Sequence, residues 1–114
     1  MNGAWECFFA AALKLAMAGS IKQRLTEAYQ AHLSSLDSTE LPKELRDEFT
    51  TLSAQLCSER PMRGESSVHA TVRKMSDSDA SRCATRILML MGAMTRLQQQ
   101  PRSPMLRAVN SGDN

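Results

Sequence analysis

The sequence predicts an all-α fold: a small bundle of three long helices and one short helix, with flexible termini. Apolar residues recur at intervals of three and four along most of the 114-residue chain, which is the spacing of one helix face. Aromatic residues, which strands favour, make up only 4% of the chain. The core must therefore come mainly from aliphatic side chains and methionine, which suits helices.

We divide the chain into an apolar N-terminal extension (residues 1–19), a helical bundle domain (20–100) and a disordered tail (101–114). The extension is open to three interpretations. It can be a secretory signal, although no Lys or Arg precedes its apolar block and Glu6 interrupts it. Translation can start at Met17, which would make residues 1–16 a non-native start. It can also form an extra helix that docks on the domain or lies on a membrane.

The first two helices of the predicted bundle are joined by a short polar connection. Ser20 is a good N-cap, and the apolar spacing that follows it predicts a helix over residues 20–36. Pro42 suits a first helical turn, so the second helix is expected over residues 42–57. Because the connection between them is short, the two helices should be antiparallel neighbours.

The segment 58–67 contains Pro61 and Gly64 and is expected to be a loop. After it, Ser67 is predicted to cap a short third helix over residues 68–75, where valine and methionine keep helical spacing. An edge strand is the alternative for this short segment, but the sequence offers no partner strand.

Residues 76–100 form the central helix of the prediction. Ser76 provides an N-cap, the early aspartates suit the positive end of the helix dipole, and Pro101 stops the helix. The face expected in the core consists of Ala80, Ala84, Ile87, Met91 and Met94. The unbroken apolar part, 87–94, is far shorter than the roughly 20 residues needed to cross a bilayer, so no transmembrane segment is predicted.

The methionines of this region can be interpreted as an adaptable binding surface or as core filling, and their spacing favours the core. If the central helix contacts a partner, we expect the contact at the edge of its apolar face. The candidate partner-binding residues are Leu88, Leu90 and Leu97.

Composition and motifs argue against an enzyme. The formal net charge is +2, and the three cysteines, Cys7, Cys57 and Cys83, are dispersed, which fits a reducing cytoplasm. The two histidines, His32 and His69, lie on different elements, and no cysteine is close enough to form a metal-ligand motif. We therefore predict no catalytic residue, no metal site and no cofactor.

A basic cluster is the alternative functional feature. It consists of Arg60, Arg63, Arg73, Lys74, Arg82 and Arg86. In a helix-turn-helix arrangement these side chains could reach phosphate, but acidic residues are interleaved with them and no aromatic platform accompanies them. From the sequence we expect a non-enzymatic cytoplasmic protein that acts through a protein partner or self-association, with a small nucleic-acid-binding regulator as the alternative.

Overall fold

The structure, a computed structural model, describes residues 3–99. Within that range it confirms an all-α fold with no strand. The five α-helices are α1 (Gly3–Leu15), α2 (Ile21–Ala28), α3 (Arg46–Leu56), α4 (Ser67–Lys74) and α5 (Asp77–Gln99). Helix α5 packs against α1, α2 and α3, so it occupies the central place that its apolar spacing predicted.

Helix α1 forms from the N-terminal segment that the sequence left open. Its inner face buries Ala4, Phe8, Ala11 and Leu15, which contribute to the same core as the other helices. The ring of Phe8 meets that of Phe49 from α3 edge to face, with the centroids 5.7 Å apart. Residues 3–15 are therefore a docked helix of the bundle in this structure.

Helix α2 begins as predicted and ends differently. The hydroxyl of Ser20 accepts a hydrogen bond from the backbone N–H of Gln23, which is the expected cap. After Ala28 the backbone widens into a π-helical turn over Tyr29–Leu33, closed by a 2.8 Å bond from the N–H of Ser34 to the carbonyl of Tyr29. The prediction of one regular helix to residue 36 was wrong, because this wider turn replaces its last part.

The connection to α3 contains two short 3₁₀ turns, Ser38–Glu40 and Lys43–Leu45. Asp37 and Glu40 form a capping box at the first turn, and the α-helical part of the second element starts at Arg46. The predicted start at Pro42 therefore corresponds to the second 3₁₀ turn.

The loop before α4 is closed by two adjacent serines with different roles. Ser66, and not Ser67, is the N-cap of α4, since its hydroxyl accepts from the backbone N–H of His69. The hydroxyl of Ser67 instead faces the carbonyls of Cys57 and Glu59, at 3.2 and 3.0 Å. Gly64 turns the loop with φ of +75°, a conformation that favours glycine.

Helix α5 starts as predicted. The hydroxyl of Ser76 accepts from the N–H of Asp79, and Asp77 and Asp79 occupy the first turn. The predicted stop at Pro101 and the predicted disordered tail over 101–114 lie outside the described residues. Within residues 3–99, none of the helices is long and apolar enough to cross a membrane.

Candidate functional site

The outer face of α1 carries exposed apolar side chains close together in the sequence. Phe9 and Leu13 are spaced four residues apart, so they lie in one row along the helix, and Met17 follows two residues past its end. Their side chains are 44%, 56% and 59% exposed. We call these three residues the α1 stripe. Because the inner face of α1 is buried in the core, this helix is apolar on two sides.

Three contacts fix α1 on the bundle. The indole N–H of Trp5 donates to the hydroxyl of Thr95 at 2.8 Å, and the guanidinium of Arg24 donates to the carbonyl of Leu15 at 2.5 Å. The ammonium of Lys14 lies 3.7 Å from the carboxylate of Glu27. These contacts join α1 to α5 at one end and to α2 at the other. The stripe is therefore presented on a helix held at both ends.

Phe9 is supported by an aromatic neighbour. Its ring stacks on that of Trp5, with the centroids 5.1 Å apart and the planes 8° from parallel. Since Trp5 is hydrogen-bonded to Thr95, the orientation of Phe9 is coupled to the position of α5. An exposed side chain that is already ordered loses less conformational entropy when a partner covers it.

Helix α1 runs antiparallel to α5. Its start is joined to Thr95, near the end of α5. The end of α1 is joined to Arg24 in α2. In the same helix, the ammonium of Lys22 donates to the carbonyl of Arg73, which lies shortly before α5 begins, so the end of α1 is on the side where α5 starts. Leu88 lies seven residues before Thr95 and hence on the same flank of α5. We infer that Leu88, which is exposed, borders the α1 stripe.

The three candidate partner-binding residues of α5 have different environments. Leu88 is exposed, Leu97 is half-buried, and Leu90 is only 2% exposed. Leu90 follows Ile87 by three residues and precedes Met94 by four, so all three share the core face. In this conformation Leu90 is not accessible to a partner, which leaves Leu88 as the accessible member of the set.

The methionines also divide between core and surface. Met94 is fully buried, Met75 and Met91 are half-buried, and Met89 is 64% exposed. Core filling was therefore the wrong expectation for Met89. It lines a shallow groove of about 150 Å³ on the α3 side of α5, next to Leu45 and Glu48.

Acidic neighbours compensate half of the predicted basic cluster. Arg73 forms two hydrogen bonds with Glu65, at 2.7 and 3.1 Å, and these bonds hold the pKa of Glu65 below its usual value. Lys74 pairs with Glu59 at 3.1 Å, and Arg82 with Asp79 at 2.6 Å. These ion pairs connect α4 to the preceding loop and span the first turn of α5.

The other members of the cluster differ in their surroundings. Arg86 donates to the side-chain oxygen of Gln55 at 2.6 Å, which links α5 to α3. Arg60 and Arg63 are exposed in the loop before α4. A protein that binds nucleic acid presents free cations along a groove or stripe. Here much of the positive charge instead serves contacts between elements.

The described residues assemble no metal site, and the serine–histidine contact among them, Ser66 with His69, belongs to the N-cap of α4. Cys83 is buried, and burial raises the pKa of its thiol, which fits its predicted role as a small core residue. The sulfur of Cys57 lies 4.0 Å from the hydroxyl of Tyr29, whose pKa is also raised by burial. His69 contacts Ser66 at 3.0 Å. Among residues 3–99, no group of three metal-ligating side chains is present.

A groove of about 390 Å³ lies beside the π-helical turn. It is lined by Tyr29, Ser34, Leu36, Ser38, Phe49, Thr50, Ser53, Ala54 and Cys57. Its polar groups are hydroxyls and one thiol, with no carboxylate, amine or imidazole to move a proton near neutral pH.

Comparison of the chain with family models, with curated proteins and with solved structures found no match.

Proposed function

We propose that this protein acts without catalysis, through a protein–protein contact made by the α1 stripe. The observation that carries the proposal is a helix that is buried on one face and apolar on the other. Phe9, Leu13 and Met17 stay exposed although α1 is anchored at both ends. Contiguous apolar surface on a folded chain is characteristic of interaction sites.

The stripe has the features of an interface centre. It combines an aromatic residue, a leucine and a methionine, and aromatic side chains and methionine are enriched at such positions. Leu88, which is exposed and which we infer to border the stripe, adds apolar surface from α5, and the ring of Trp5 stacks on that of Phe9. The three side chains of the stripe are uncharged, so burying them desolvates no ion of their own, while Glu6 lies beside them on the same face.

Nucleic-acid binding is less well supported. Arg73, Lys74 and Arg82 are each engaged by a carboxylate of the same chain. Phosphate would have to displace these ion pairs to use the three cations.

Site-specific photo-cross-linking in cells tests the proposal. A photoactivatable amino acid at position 13 should form covalent adducts with a protein, because Leu13 is exposed at the centre of the stripe. The same amino acid at position 62 is the matched control, since Met62 is a similarly exposed apolar residue in the loop before α4. Adducts at 13 and not at 62 are expected. No adduct at 13, or equal adducts at both positions, would contradict the proposal.

A further inference from the structure

We propose that the partner of the α1 stripe is a second copy of this chain, bound with the two α1 helices antiparallel about a two-fold axis near Ala10. This inference rests on the proposed function and adds to it the identity and orientation of the partner. It comes from a second row of residues on the outer face of α1, next to the stripe.

That second row is Glu6, Ala10 and Lys14, again spaced four residues apart. The acid and the base lie equally far from Ala10, in opposite directions along the helix. Glu6 is exposed and forms no hydrogen bond or ion pair with another residue of the described range. Ala10 and Lys14 are half-buried, and within the described residues the ammonium of Lys14 has a 3.7 Å contact to Glu27 of α2, which is longer than a hydrogen bond.

A two-fold axis at Ala10 makes this row complementary to itself. In an antiparallel pair, residue 6 of one helix faces residue 14 of the other, so both Glu6–Lys14 pairs form at once. An isologous dimer needs a patch that is complementary to its own copy, and this row meets that requirement. The methyl group of Ala10 is small enough to let the two helices approach closely at the axis.

The same axis also pairs the stripes. The two-fold axis is perpendicular to the plane that contains both α1 helices. Rotation about this axis therefore leaves the stripes of the two copies on the same side of that plane. Phe9 and Leu13 of one copy then lie beside Leu13 and Phe9 of the other. Leu88 lies on this side, so it can extend the contact from α5.

The geometry predicts a modest affinity. A contact made by one helix from each copy, with Leu88 at its edge, falls at the small end of specific interfaces, below about 1,200 Å² in total. We therefore expect a concentration-dependent equilibrium between monomer and dimer in the micromolar range.

A membrane surface suits this face less well. Helices that lie in the lipid interface carry a polar face rich in lysine and arginine, which anionic lipid attracts. Helix α1 has Lys14 as its single basic residue, and its inner face is occupied by the bundle core.

Complementary charge reversal tests the orientation. Glu6→Lys alone places two ammonium groups together, one at position 6 and one on Lys14 of the other copy, and Lys14→Glu alone places two acids together. Like charges brought face to face should raise the dissociation constant of each homodimer about tenfold. An equimolar mixture of the two variants should dimerise again, because both pairs are then opposite in charge. Sedimentation velocity at matched total concentration, with native mass spectrometry to identify the heterodimer, measures this.

A disulfide test does not depend on those charges. In a chain carrying Cys7→Ala and Cys57→Ser, Ala10→Cys should form a disulfide-linked dimer under mild oxidation, and Met62→Cys in the same background should not. Circular dichroism checks that each variant is folded, which matters for Lys14→Glu because it adds an acid near Glu27.

Recovery of the dimer in the mixture, or selective disulfide formation at position 10, supports the inference. It is overturned if the unaltered chain stays monomeric at high concentration, or if both charge variants dimerise like the unaltered chain. Binding to vesicles of phosphatidylcholine and phosphatidylserine that Leu13→Glu abolishes would also overturn it. An adduct at position 13 with a different protein would overturn it as well, but would leave the proposed function standing.

Discussion

Met89 and Met94 lie five residues apart on α5 but in opposite environments, which makes them a matched pair for testing the core. Met94 is fully buried and Met89 is largely exposed. We expect Met94→Ala to reduce the free energy of unfolding by about 2–5 kcal/mol, because it leaves a cavity. Met89→Ala should change it by no more than about 0.5 kcal/mol. Urea unfolding of both variants measures the difference, and equal effects would contradict the assigned burial.

The Glu65–Arg73 pair predicts that the stability of the protein depends on pH. Hydrogen bonds from Arg73, and then from the backbone N–H of Met62, hold the pKa of Glu65 below its usual 4.5. A carboxylate with a lowered pKa stabilises the folded state above its unfolded pKa, and this contribution is lost as pH falls through the folded value. We therefore expect the contact between Glu65 in the loop before α4 and Arg73 in α4 to stabilise the protein at neutral pH and to weaken in acid.

Glu65→Gln should accordingly destabilise the protein at pH 7 and have little effect well below pH 4.5. Unfolding by urea at the two pH values compares the variant with the unaltered chain. Glu44→Gln is the control, because Glu44 is exposed and has no ion pair within the described residues. A Glu65→Gln effect that is as large in acid as at pH 7 would argue against the pair.

Among the helices, α1 has two roles on two faces. Its inner face supplies Phe8 to the core, and its outer face carries the stripe. A chain restricted to residues 17–114 would uncover the apolar surfaces of α2 and α5 that α1 covers. We expect it to lose cooperative thermal unfolding and to bind a hydrophobic dye. Unchanged cooperative unfolding would show that α1 is dispensable for the core.

Residues that helical spacing determines could be predicted from the sequence. The face of Ala80, Ala84 and Ile87 and the caps at Ser20 and Ser76 follow from local pattern and chemistry. The choice between Ser66 and Ser67 as the N-cap could not be predicted, because both hydroxyls suit a helix start. In the structure the hydroxyl of Ser67 donates to the carbonyls of Cys57 and Glu59, and Ser66 caps the helix. The π-helical turn depends likewise on packing that spacing does not record.

The α1 stripe left an ambiguous signal in the sequence. Phe8 and Phe9 are adjacent and so point about 100° apart on a helix. A wide apolar face can bury two adjacent residues, as α5 buries Cys83 and Ala84, so this adjacency fits either one wide face or two apolar faces. The total hydrophobicity of the block, by contrast, left a signal peptide and a docked helix as alternatives. Leu90 was misplaced for a related reason, because the width of the buried face of α5 depends on how many helices surround it.

Taken together, the described residues combine a closed core with one open apolar face. Arg73 and Lys74 form ion pairs with the loop before α4, and the thiol of Cys83 is buried. By contrast, the side chains of the α1 stripe are exposed, and we assign them no role in the core. We therefore expect another protein to cover the α1 stripe. Because the row of Glu6, Ala10 and Lys14 is complementary to itself, we expect that protein to be a second copy of the chain.

A dilution series by sedimentation velocity tests whether the stripe is covered in this way. The unaltered chain should shift from dimer to monomer as it is diluted through the micromolar range. Leu13→Glu should be monomeric throughout, because it places a charge at the centre of the interface. Met62→Glu, with the same change at a similarly exposed residue, should behave like the unaltered chain. The role of the stripe would be contradicted if Leu13→Glu and Met62→Glu changed the dimer–monomer shift equally. It would also be contradicted if no dimer formed at any concentration and no adduct formed at position 13 in cells.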